Sequence, residues 1–542
     1  MMYNYHPTTY EKHIDIGSFK GLHYEELNTK QVLGVPFATV PGRFRKSQLN
    51  DNWAHQLDGT KLGPSIPQVK RPTYPIPVYD RPWLNVPGSD EFGLNLNISI
   101  PEVPKSGPEV PKPGPESEKL PVMVFIHGGA NTYGAGNSCI FDGLQLAHLS
   151  YKLGKPTIVV TFNYRLGSFG FLASKDLKEY NSKFGENGVG NYGISDQRNA
   201  LLWVNKYIEY FGGDKSKITL FGQSAGSQAS HLMVLKDEGL FNRVILQSGL
   251  TPLCGVFTVE QYDVIYFKLL KKLGIDTTLS PEERVKALVE TNWEDLMNAN
   301  EEIFPIPCVT MAYTEDNEVL PSFPSWKDLG KKVDHKILIG DCANECIIWS
   351  FTYKDMTAND FIEVLYDKCS SKEVANTFID LYGIKSDLSK DEIFHKIEDL
   401  TSDAMFRLPN YLFYNANPSS LVYHFKQTST YNHDWNGYAH HSLDNVYVWN
   451  LLKESLHERD RPLSDQMSKS WVLFANGVES WEPYGEHNNI MVFGEEGKSG
   501  LAGENRHKVS IWKKIIDLGL VEEFGRVCED ICLARTNDHG YV

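Results

Sequence analysis

A serine with glycine at both second neighbours, Gly222-Gln223-Ser224-Ala225-Gly226, sits between a strand-like run, "ITLF" (218–221), and a helix-like one, "SQASHLMVL" (227–235). A strand-to-helix turn this tight leaves no room for Cβ atoms two before and two after the serine. It lifts the hydroxyl to the edge of a sheet, next to the positive end of the following helix. That is the placement of a nucleophile. Attack on a carbonyl also needs donors for the oxyanion that forms. A second glycine-rich turn, "VFIHGGANTYGAG" (124–136), follows another strand-like run and frees the N–H groups of Gly129 and Ala130 to join that of Ala225. A base is needed as well. "GYAHHSLDN" (437–445) offers His440 and His441, whose side chains point in different directions, so at most one of them faces the serine.

These residues must be held by a sheet. "LNLNISI" (94–100), "VMVFIH" (122–127), "TIVVTFNY" (157–164) and "KITLFG" (217–222) read as strands. The last three are rich in Val, Ile and Phe, as buried parallel strands covered on both faces are. In "ISDQRNALLWVNKYIEYFGG", Leu201, Val204, Ile208 and Phe211 recur at helical spacing, with Ser195 as a cap and Gly212-Gly213 as a stop. Strand–helix–strand order implies right-handed crossovers and a mostly parallel sheet. "SPEERVKALVE" (280–290) carries Ser280, Pro281 and Glu283 as a capped helix start, and "DEIFHKIEDL" (391–400) reads similarly. No linker-like boundary isolates these helices. We therefore expect one α/β domain over residues 1–542, with further helices over the face that carries the site. Residues 101–118, with PEVPK twice and six prolines, read as an exposed loop inserted between two strands.

Lys and Arg number 53 against 69 Asp and Glu, a formal charge of −16, which disfavours nucleic acid and anionic membrane surfaces as partners. With 41% hydrophobic and 12% aromatic residues the chain can bury a substantial core. No apolar run approaches the roughly eighteen residues of a membrane span, and "MMYNYHPTTYEKHIDIG" has no apolar segment of a secretory signal. The eight cysteines are scattered, and the pairs Cys342/Cys346 and Cys528/Cys532 lack zinc-site spacing. Free thiols in a cytoplasmic protein are the expectation. The sequon at Asn97 lies in an expected strand and is a poor glycosylation site.

Long blocks then resemble one family. "VLGVPFATVPGRFR" (32–45), "NYRLGSFGFLAS" (163–174), "GNYGISDQRNALLWVNKYIEYFGGD" (190–214), "ITLFGQSAGS" (218–227), "LQSGL" (246–250) and "DAMFRLP" (403–409) are similar, in order, to the type-B carboxylesterase/lipase family, the cholinesterase-like branch of the α/β-hydrolases. The resemblance runs almost end to end. It implies an α/β-hydrolase fold and a serine ester hydrolase. The family's acid follows a strand in Gly-x-x-x-x-Glu-Gly, which places Glu345 five after Gly340, with Cys346 where the second Gly stands. The family's base is followed by an acidic residue three on and then by aromatics around a valine. Counted from His441, these are Asp444, Tyr447, Val448 and Trp449, although Gly437 stands three before His440. The longer downstream match favours His441.

The resemblance thus implies a Ser224–His441–Glu345 triad, an oxyanion hole of Gly129, Ala130 and Ala225, and an acyl-enzyme that water hydrolyses. It calls for no metal or organic cofactor, and for a small-molecule ester as partner. Two departures stand out: Glu91-Phe92-Gly93-Leu94 lacks the cysteine of the family's first disulfide, and Gln223 replaces the glutamate that often precedes the nucleophile. Trp83 lies where cholinesterases carry a choline-binding tryptophan, and here it reads as an aromatic wall of the substrate pocket. The nearest alternative is a lipase or sterol esterase acting on long-chain esters. A choline esterase, or a binding protein that keeps the fold without the chemistry, stands further off.

Overall fold

The computed structural model describes residues 5–68, 88–103, 119–251, 253, 255–303, 311–316, 318–320, 322–431, 433–485, 487–494, 497–503 and 505–533. Twelve strands follow one another across a large sheet. They are β1 (Thr8–Ile14), β2 (Gly17–Tyr24), β3 (Thr29–Pro36), β4 (Asn95–Pro101), β5 (Leu120–Ile126) and β6 (Ile158–Phe162), then β7 (Gly213–Gln223), β8 (Arg243–Gln247), β9 (Lys336–Cys342), β10 (Leu421–Phe425), β11 (Asn489–Phe493) and β12 (Ser499–Gly503). Their spatial order is β1-β2-β3-β4-β6-β5-β7-β8-β9-β10-β11-β12, and a two-residue strand, Leu57–Asp58, pairs with β2. From β6 through β11 every pairing is parallel, while β1 to β4 and β12 are antiparallel additions at the two ends.

The four strands read from the sequence fall within one to four residues of β4, β5, β6 and β7. The first of them joins β6 antiparallel, and Asn97 is buried with its side-chain oxygen accepting from the Gly34 N–H at 3.0 Å. Period-two alternation explains why the central strands are apolar throughout. On β5, Val122, Val124 and Ile126 belong to the core on one face, and Met123 and Phe125 to that on the other. Helices α1 (Leu144–Lys152), α2 (Tyr192–Tyr207) and α3 (Ala225–Lys236) connect the parallel strands. Leu201 and Val204 of α2 and Ala229 and Leu232 of α3 fill the first core, whereas Leu146 and Ala147 of α1 fill the second.

Two details of the helices matter. Ser195 does not cap α2: the helix begins a turn earlier, at Tyr192, behind Asn191 in the left-handed region (φ 51°). The Asn191 side chain is tied to both the N–H and the carbonyl of Thr314, so tertiary contacts fix the start in place of a local cap. At the other end α2 passes into a 3-10 turn, Ile208–Phe211, and Gly212 at φ 84° stops that turn. Helix α4 (Pro281–Glu290) starts with the full Ser280/Glu283 capping box, and α5 (Lys390–Ser402) with Ser389/Glu392. Of the proline-rich segment, residues 104–118 lie outside the described residues, as does Trp83. Among the described residues, no helix is long and apolar enough to cross a membrane.

Candidate active site

The carboxyl ends of β5, β7, β8, β9 and β10 lie side by side in the sheet, the edge where ligand-binding loops gather in open α/β sheets. Gly222 of β7 pairs with Ile126 of β5, Gln223 with Gln247 of β8, and Gln247 with Gly340 of β9. The turn after β7 is sharply strained. Ser224 adopts φ 57° and ψ −126°, and its N–H donates to the Gln247 carbonyl at 2.9 Å. A Cβ at Gly226 would stand 2.0 Å from the Ile126 oxygen, and one at Gly222 2.2 Å from the Gly226 oxygen. Only glycine fits either position. Beneath the turn, Phe125, Phe221 and Trp449 pack ring against ring at 4.7–5.6 Å and give it a rigid floor.

The loop after β5 runs alongside. Gly129, Ala130 and Asn131 all take positive φ, at 113°, 55° and 58°. The Asn131 amide donates to the Met311 carbonyl and the Met311 N–H to the Ala130 carbonyl, which pins the unusual backbone. Among the described residues, the N–H groups of Gly129, Ala130 and Ala225 meet no protein acceptor. Gly128 closes the gap to the serine: a Cβ there would stand 2.9 Å from that of Ser224. His127 stacks on Tyr164 at 4.4 Å and donates through Nδ1 to the Gly128 carbonyl at 2.7 Å. Burial lowers its pKa to about 4, so it stands as a neutral strut.

Glu345 follows β9 and is fully buried. Its Oε1 accepts the Cys342 N–H at 2.7 Å, and its Oε2 meets His441 Nδ1 at 2.5 Å. The Nδ1 proton therefore faces the carboxylate, leaving the Nε2 lone pair free to accept. Phe406 and Trp349 flank the ring at 5.2 and 6.2 Å. His440 turns away. Its Nδ1 donates to the His441 carbonyl at 2.9 Å, its ring packs against His433 and Trp435, and burial lowers its pKa to about 3.

The structure shows no hydrogen bond between Ser224 and His441. Nε2 of His441 is met by the Gln223 amide nitrogen at 3.2 Å, while the Gln223 oxygen is buried without a partner. The sequence pointed to Gln223 only as the loss of a glutamate; its contact with the imidazole appears once β7 buries its side chain beside His441. Asp444, three after His441, is buried under the site and accepts from Tyr423 at 2.9 Å and Gln247 at 3.1 Å. Burial, with the Glu345 charge adding to it, raises its pKa to about 6. Among the described residues no group of three or more His, Cys, Asp or Glu side chains is arranged to hold a metal ion.

A strained serine between two glycines, freed N–H groups beside it and a carboxylate–imidazole pair, all at the carboxyl edge of a parallel sheet, define an α/β-hydrolase. Residues 10–512 match the Carboxylesterase family, and the chain belongs to that family as an ester hydrolase. It is 29% identical to Lipase 3 of Yarrowia lipolytica over 89% of this chain and 90% of that lipase. It is 28% identical to the para-nitrobenzyl esterase of Bacillus subtilis over 86% of this chain and 90% of the esterase. A solved PNB esterase structure superposes with a TM-score of 0.71 at 26% identity, covering 92% of this chain and 98% of its own.

Proposed function

We propose that the protein cleaves small-molecule carboxylic esters through an acyl-enzyme on Ser224, with His441 as base and Glu345 as its orienting acid. The observation that carries this reading is the 2.5 Å contact between Glu345 and His441, set beside the strained Ser224 turn. Substrate entry lets Ser224 take over the Nε2 lone pair that Gln223 holds at rest. The hydroxyl proton passes to Nε2 as Oγ bonds to the ester carbonyl carbon. Charge gathers on the carbonyl oxygen, where the N–H groups of Gly129, Ala130 and Ala225 and the positive end of α3 stabilise it. The Nε2 proton then goes to the leaving alkoxide as the C–O bond breaks. Water repeats the sequence: His441 takes its proton, the acyl–Oγ bond breaks, and Ser224 is protonated again. The residues supply every proton transfer, so the reaction needs no cofactor.

A p-nitrophenyl ester with a slowly hydrolysed acyl group tests this directly. With substrate in excess over protein, a burst of about one nitrophenolate per protein supports the acyl-enzyme, and a linear course with no burst contradicts it. Extending the series to long acyl chains separates an esterase from the lipase alternative that the likeness to Lipase 3 suggests. We read the chain as one α/β-hydrolase unit. We also read it as cytoplasmic, a reading supported by Cys342, Cys346, Cys369, Cys528 and Cys532, which are buried free thiols. Thiol titration of denatured, unreduced protein should recover close to all eight; two or more persistent disulfides would contradict that compartment.

A further inference from the structure

Glu398 is a buried carboxyl, 3% exposed, that the mechanism above does not use. It lies on α5, which runs into a π-helical turn, Asp403–Arg407. One oxygen of Glu398 accepts from the Ser402 hydroxyl at 2.7 Å, four residues on along the same face, and that hydroxyl accepts the N–H of Cys346 at 2.9 Å. The other oxygen accepts from the Asn344 side-chain amide at 3.2 Å. The oxygen of that amide accepts the Ala439 N–H at 3.2 Å, and the Asn344 N–H donates to the Ala439 carbonyl at 2.9 Å. Arg407, at the end of the π turn, donates to the Ala343 carbonyl. Both chain neighbours of Glu345 therefore hang on one carboxylate. One of them, Asn344, also holds the strand-like bridge to His440, the residue before His441.

We propose that Glu398 is a positioning residue that locks the loop carrying Glu345 to the loop carrying His441. The inference rests on the triad reading given above. A carboxylate suits the task because both of its partners arrive as donors, and it has acceptors for each. An amide of the same shape serves less well: with its oxygen on Asn344, its NH2 faces the Ser402 oxygen, which accepts it only by turning its own proton elsewhere. Turning the Asn344 amide over does not help, since its nitrogen would then meet the Ala439 N–H. A carboxylate–imidazole pair tolerates little displacement, because misplacement by about 1 Å costs on the order of a hundredfold in rate. Glu398 and Ser402 are both buried, so a bound ester has no access to them. Loss of this clamp should therefore slow chemistry without weakening binding.

The test compares the parent protein with Glu398→Gln and Ser402→Ala on one short-chain ester. The expected result for Glu398→Gln is a kcat lower by about ten- to a hundredfold with KM within about twofold. Ser402→Ala, which removes a single hydroxyl and covers the case in which the first variant fails to fold, should lose kcat in the same direction. The double variant should lose little more than the worse single one, because both break one chain of contacts. Amide hydrogen exchange on segments 343–347 and 437–442 reads the clamp without turnover, and both should exchange faster in the variants. Folded variants whose kcat stays within twofold of the parent, or whose whole loss lies in KM, would overturn the proposal. A parent protein that turns over no ester would instead overturn the triad, while unchanged exchange at both segments would overturn the clamp by itself.

Discussion

Ser224 shows how far a single position can be read in advance. Its two glycines at fixed spacing forecast a turn too tight for Cβ atoms, and the 2.0 Å that would separate a Cβ at Gly226 from the Ile126 oxygen gives the physical reason. The base was harder to place, because two adjacent histidines differ only in which way the backbone aims them. In the structure His441 reaches Glu345, and His440 packs into its own loop. His441→Gln should accordingly lower kcat/KM on a short-chain ester by three or more orders of magnitude, about as much as losing the serine, whereas His440→Gln should cost about tenfold or less. Finding the larger loss in His440→Gln would move the base by one residue. Gln223, Asn344 and Glu398 were not legible as site residues. Their partners lie tens to hundreds of residues away, and the i, i+4 spacing of Glu398 and Ser402 is the one local trace of the clamp.

Elements with strong periodicity, such as the Val- and Ile-rich strands and the capped helices α4 and α5, stand where their patterns put them, because burial and capping act locally. The start of α2 shows the opposite case. Ser195 has the residue type of a cap, yet contacts from Thr314 to Asn191 set the boundary a turn earlier. That helix is also fastened by a buried ion pair. Asp196 on α2 accepts from Arg165 Nε at 2.8 Å, from its Nη2 at 2.7 Å and from its backbone N–H at 3.0 Å, with both side chains at most 2% exposed. Asp196→Asn leaves the guanidinium buried without a counter-charge and should destabilise the fold by about 3–5 kcal/mol. Urea unfolding measures this, and a loss below about 1 kcal/mol would show that the segment after β6 is held by other contacts.

For the molecule as a whole, acid sensitivity follows from histidines buried in the neutral form. Burial lowers the pKa of His127 to about 4 and those of His231 and His440 to about 3, against 6.5 for a free side chain. Between pH 6.5 and these values the unfolded chain binds protons that the folded protein refuses. Stability is therefore full above 6.5 and falls as the pH drops, by about 1.4 kcal/mol per pH unit for each histidine. Asp444 acts in the other direction. Its pKa is raised to about 6, so its contribution is present below 3.8 and is lost as the pH rises through 6. Burial raises Asp142, Asp316 and Glu398 in the same sense as Asp444, and lowers His148, His335 and His433 in the same sense as the three rings. A single ring therefore shows in a difference between proteins, and Tm should fall less from pH 6.5 to 4.5 in His440→Gln than in the parent. The same Tm slope in His440→Gln and in the parent over that range would contradict the neutral, buried state of the His440 ring. The described sheet and helices account for the site, while the proline-rich segment and Trp83 stand outside the described residues.

Covalent labelling with a fluorophosphonate tests the central claim, a serine nucleophile at the β7–α3 turn, most directly. The reagent phosphonylates a serine only when a neighbouring base and an oxyanion site activate it. Intact mass should shift by a single adduct per chain, peptide mapping should place it on Ser224, and Ser224→Ala should take up none while remaining folded. An adduct that persists in Ser224→Ala, or a parent chain that takes up no reagent, would contradict the account.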